Sequence, residues 1–109
     1  MKTLKFIVNN QSISKDPNCD FSGLFPGSAK AIRAEFTFSP EWDGYVKVVG
    51  FWSQMDTEYP PQEIQDDSWC MIPVEALTKV TFKMRVLGKR NGKKLMTKPI
   101  TVYQNGGKR

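Results

Sequence analysis

Histidine is absent from this chain of 109 residues. That removes the side chain most used to move protons at neutral pH, and with it the commonest neutral metal ligand. Cysteine is scarce: Cys19 stands in a polar stretch and Cys70 in an apolar one, with no CxxC spacing. Zinc then has no ligand set, and no activated nucleophile stands out. Their dissimilar settings favour free thiols over a disulfide. Leucine is infrequent beside Val, Phe, Ile and Thr, which tilts the chain towards β-structure. Long apolar runs are also missing. The opening run to Val8 stops at Asn9 and Asn10, too short for a secretory leader, and nothing is long enough for a membrane span. Acid is missing from the last third. Residues 1–78 hold eleven carboxylates against six Lys and Arg, a balance of −5, whereas residues 79–109 hold ten bases and no acid, +10. So lopsided a chain is suited to steering onto nucleic acid, acidic protein, or the acidic side of its own neighbour.

The length fits one domain, expected over 1–105 with a flexible basic tail at 106–109, and suffices for a core without metal or disulfide staples. Thr3–Val8 alternates as a first strand, expected at a sheet edge. Residues 9–28 read as a long loop with turn signals at Asp16–Asn18, Ser22–Gly23 and Pro26–Gly27. Lys30–Phe38 alternates cleanly. Tyr45–Trp52 is apolar on both faces, which predicts a central strand buried between two layers. Pro60 and Pro61 limit the next segment to a short edge strand near 62–65. A strand over 68–72 precedes Pro73–Leu77, which suits a single helical turn with Leu77 plugging the core. Lys79–Leu87 presents Val80, Phe82, Met84 and Val86 on one face. Asn91–Gly92 then predicts a hairpin to a last strand over 95–103, interrupted at Pro99. These segments predict an all-β, immunoglobulin-like antiparallel β-sandwich of about seven strands.

Catalysis finds no constellation to use, so the expectation is no enzyme and no cofactor. Glu58, Glu63, Asp66 and Asp67 lack the glycine-punctuated spacing of a calcium loop and read as a solvated loop. The hairpin Lys89-Arg90-Asn91-Gly92-Lys93-Lys94, with Lys83, Arg85 and Lys98 beside it, forms a basic patch. Such a patch attracts nucleic acid or acidic protein, or merely protects sheet edges from aggregation. Phe21, Leu24 and Phe25 either cap an open end of the core or touch a partner. Trp42, Trp52 and Trp69 pack in the core or an interface, or else form a glycan-stacking platform; exposed Trp52 or Trp69 would indicate an assembly surface.

The series Phe36-x-Phe38-Ser39-x-x-Trp42-x-Gly44, Lys47-x-x-x-Phe51, Cys70-x-Ile72-Pro73-x-Glu75-x-Leu77, the strand to Gly88 and the late Thr97 carry a resemblance. From Ile32 to Val102 they resemble small immunoglobulin-like β-sandwich domains in structural proteins of tailed bacteriophages, found in head-fibre or capsid-decoration, tail-fibre and baseplate proteins. The resemblance implies a non-enzymatic virion protein, made in the host bacterial cytoplasm. The chain reaches Arg109 without a collagen-like, coiled-coil or receptor-binding segment, which points to a capsid decoration or auxiliary protein. A tail-fibre or baseplate component, a nucleic-acid-binding module and a glycan-binding module are the alternatives. The partners implied are major capsid or tail proteins, with self-association as a further possibility and no membrane. On this reading Lys89, Arg90, Lys93, Lys94, Lys98, Lys108 and Arg109 dock on acidic protein. Phe21, Leu24, Phe25, Trp52 and Trp69 supply apolar contact.

Overall fold

Two sheets follow from the alternation, each contributing one apolar face to a shared core. The computed structural model describes residues 2–27 and 31–104; the basic tail expected at 106–109, with Lys108 and Arg109, lies outside them. The first sheet holds β1 (Lys2–Asn9), β2 (Ser12–Lys15), β3 (Ile32–Phe38) and β6 (Trp69–Met71), in the order β2-β1-β3-β6. The second holds β4 (Val46–Trp52), β5 (Glu58–Glu63), β7 (Thr81–Arg90), β8 (Lys93–Met96) and β9 (Ile100–Tyr103), in the order β5-β4-β7-β8, with β9 also paired to β7. The chain is an all-β sandwich. Leu4, Phe6 and Val8 of β1 face Phe51, Phe82 and Met84 of the second sheet in a core that excludes solvent.

The described residues form nine strands rather than about seven. The polar segment after Asn9 turns back at Asn10 and pairs as β2 along β1, so it is not all loop and β1 is not an edge. On its other side β1 runs parallel to β3, and the remaining pairs are antiparallel. The last expected strand is split in two at Thr97–Pro99. β5 runs through Pro60 and Pro61 because it lies at the edge, where a missing N–H costs no ladder bond. Val80 does not join the buried series: it precedes β7 and is exposed.

Local chemistry sets the remaining connections. Pro73 caps the single turn α1 (Val74–Leu77), which buries Ala76 and Leu77. The 3-10 turn Pro40–Trp42 folds Trp42 fully into the core, where its indole N–H donates to the Asn10 carbonyl at 2.7 Å. Two-layer construction also corrects the expectation for β4. Lys47, Val49 and Phe51 point inward, whereas Val46 on the opposite face is 61% exposed. β4 lies between β5 and β7 but not between two layers, so its outer apolar residues face solvent.

Candidate protein-interaction surface

The hairpin between β7 and β8 holds four cations at one end of the sandwich. Asn91 and Gly92 take φ values of 48° and 80°, the positive pair that a two-residue type I′ connection needs. Lys89 faces Lys94 across the ladder and Arg90 faces Lys93. Like charges set directly opposite cost stability. All four side chains are exposed, and among the described residues the ion pairs are Arg33–Glu35 and Lys47–Asp67, neither of which neutralises them. Arg90 is anchored by donating to the Asp43 carbonyl at 3.2 Å, with its guanidinium against Gly44. Lys98 stands beside β8, where its backbone N–H bonds to Gln11.

A groove of about 810 Å³ adjoins this hairpin on the outer face of the five-stranded sheet, within the size range of ligand and peptide sites. Its floor is apolar: Val46, Val48, Leu87, Met96 and Pro99. Its rim carries Arg85, Lys89, Lys94 and Lys98. Met96, 45% exposed, and Val46 are large apolar side chains left uncovered at its centre. Sequence reasoning named the basic rim and missed the floor. The signal was present, because Leu87 breaks the Thr81, Lys83, Arg85 series on the outward face of β7, and Val48 stands opposite it on β4.

Other expected contact residues are dispersed. Leu24 is buried, which removes it from any partner surface and assigns it to the core cap. Phe21 is half-buried, edge-on to Phe6 at 5.5 Å, whereas Phe25 is exposed. Trp52 lies on the outer face of the five-stranded sheet with the Arg85 guanidinium 5.4 Å from its ring centroid. Trp69 lies on the outer face of the other sheet, under Arg33 at 4.1 Å. The two indoles therefore share no platform. Lys47 does not belong to the basic surface: it is buried over Phe38 and pairs with Asp67 at 3.1 Å.

No family model matches this chain, and no curated protein does either. The chemistry of the surface therefore has to be read from its own side chains. Cys70 is buried and unpaired, and burial pushes its thiol up to about 12, far from nucleophilic readiness. Cys19 is a second free thiol, half-buried and accepting the Lys5 N–H at 3.3 Å. Among the described residues no three Cys, Asp or Glu side chains converge on a metal-sized space, and no helix is long and apolar enough to cross a membrane. What the surface offers is positive charge beside uncovered apolar area.

Proposed function

We propose that this chain is a non-enzymatic structural protein of a bacteriophage virion, a capsid decoration or auxiliary protein that docks through its basic hairpin end on an acidic protein surface. The resemblance over Ile32–Val102 supplies the virion setting. The docking is carried by one observation: four exposed cations, Lys89, Arg90, Lys93 and Lys94, are held on a type I′ hairpin in opposed like-charge pairs, and no ion pair among the described residues neutralises them. That repulsion costs the free fold stability, whereas an acidic partner relieves it on binding and is steered in by it. The separation of Trp52 from Trp69 argues against a common stacking platform for sugars.

The test is capture from a lysate of phage-producing cells on the immobilised chain, with and without nuclease. Retention of major capsid or tail proteins despite nuclease, lost in the Lys93→Glu/Lys94→Glu variant, is the expected result, and the retained protein places the chain on head or tail. Retention that disappears with nuclease transfers the hairpin to nucleic-acid binding and overturns the proposal.

A further inference from the structure

Strand register sorts the outward side chains of the five-stranded sheet into rows that cross the strands. Val48 of β4 pairs with Leu87 of β7, and Leu87 pairs with Met96 of β8. These three make an apolar row. Two residues along β7 in one direction stands Lys89, paired with Lys94 of β8. Two residues in the other direction stands Arg85. β8 pairs with β7 as far as Met96 opposite Leu87, and β9 begins with Ile100 opposite Met84. Residues 97–99 therefore lie beside Val86 and Arg85, which brings Lys98 to the level of Arg85. All seven side chains line the one groove, and among the described residues its lining holds no carboxylate and no aromatic ring. The groove is an apolar row with two cations on each flank.

We propose that this groove receives an acidic amphipathic helix of the partner, laid across the strands. The inference rests on the reading of the partner as an acidic protein, and it names the element that docks. Four cations without an acid in the lining require an anionic occupant, while Val48, Leu87 and Met96 require an apolar one. Two residues of strand span about 6.8 Å, so the two cation rows stand roughly 14 Å apart. A helix is about 10–12 Å across and can carry acids on both sides of its apolar stripe, within reach of both rows. An extended segment cannot do this. It directs alternate side chains at the surface in a single file, so its apolar residues are not flanked by acid on both sides. Single-stranded nucleic acid binds by stacking its bases on aromatic rings, which the groove lacks. Nor does a second copy supply the helix: α1, the α-helix among the described residues, has four residues.

The registers also fix length, polarity and strength. Strands about 4.8 Å apart put about 10 Å between Val48 and Met96, so a helix of 10–12 residues, about 15–18 Å long, covers the row and overhangs both ends. Glu63, opposite Val48 on edge strand β5, closes the row at one end. The helix therefore lies with its N-terminus, the positive end of its dipole, over β5. So short a contact stays well below the about 800 Å² per partner of a stable interface, and ordering the helix on binding lowers the net gain further. A lone helix then binds with a dissociation constant on the order of 100 μM.

The probe is a fluorescent synthetic peptide of about 14 residues, with Leu recurring at i, i+3, i+4 and i+7 and Glu on either side of that stripe. It is titrated with the full chain and followed by anisotropy and by circular dichroism. Saturable binding that weakens with salt, accompanied by a gain in peptide helicity, is the expected result. Met96→Asp replaces an exposed side chain, so the fold is retained, and binding falls at least tenfold. Lys89→Gln and Lys98→Gln, one from each flank, each weaken it several-fold. Lys5→Gln, on the outer face of the other sheet, leaves it unchanged. No binding at about 1 mM, binding without a gain in helicity, or indifference to Met96→Asp overturns the proposal. So does equal binding of a peptide of the same composition with its Leu scrambled out of the helical period, or tighter binding of an oligothymidylate of similar length. Its failure is distinct from that of the docking proposal: virion proteins captured equally by the natural chain and by Met96→Asp refute the helix groove alone, and a bound peptide with no virion protein captured refutes the docking alone.

Discussion

Gly88 has no room for a methyl group. A Cβ built there would stand 2.9 Å from the Trp42 Cζ3 and 3.2 Å from the Tyr45 ring, and Trp42 cannot retreat because its indole N–H is bonded to Asn10. Gly88→Ala should therefore destabilise the fold by about 1–3 kcal/mol, read as a lower urea midpoint with an unchanged slope. Cys70 makes a second residue-scale prediction. Its thiol titrates near 12 in the fold against an ordinary value near 9. Between these values the unfolded chain releases a proton that the folded chain keeps, so stability contributed by the neutral thiol is intact below pH 9 and declines as pH rises towards 12. The decline should be shallower in Cys70→Ala, which carries the same lysine and tyrosine background. At neutral pH a thiol reagent should label Cys19 and reach Cys70 only on unfolding. Equal labelling of both cysteines in the native protein would refute the burial on which this rests.

At the scale of elements, Thr97 decides how the last strand survives its interruption. It is buried, and its hydroxyl accepts the Val86 N–H at 3.1 Å while its own N–H donates to the Val86 carbonyl at 3.0 Å. One residue thus continues the ladder where β8 has ended and Pro99 prevents β9 from starting. Thr97→Val keeps the shape and removes the acceptor, leaving a buried N–H unpaired at a cost of about 1–3 kcal/mol. Hydrogen exchange at the Val86 amide should accelerate selectively, and unchanged protection there would show that the hydroxyl is dispensable. Elements with strict alternation, β3 and β7, were legible in the sequence, as were the helical turn at Pro73 and the Asn91–Gly92 hairpin, because each rests on local steric rules. β2 was not, since Ile13 is its one apolar residue and its pairing partner β1 lies outside the segment. Nor was the parallel β1–β3 pair, which depends on the route taken between Asn9 and Ile32. The groove escaped for a third reason. Period-2 patterning shows which residues share a face, but it does not show whether another layer covers that face, and Val46, Val48 and Leu87 read equally well as core.

For the whole molecule, the chemical asymmetry along the chain becomes an asymmetry across one sheet, because the basic C-terminal third forms β7, β8 and β9 while acidic β5 lies at the opposite edge. That arrangement makes stability and docking oppose each other. Lys94→Glu turns the Lys89–Lys94 opposition into an attractive cross-strand pair, and Lys93→Glu does the same for Arg90. Each should raise stability by a few tenths to about 1 kcal/mol, with the gain shrinking at high salt as screening removes both repulsion and attraction. The same substitutions should abolish capture of acidic partners. If the cations serve merely to protect the sheet edge, the variants will be more stable and capture will be unchanged. Greater stability with lost capture is what a surface maintained for a partner requires, since the repulsion persists in the free protein and is relieved only in the complex.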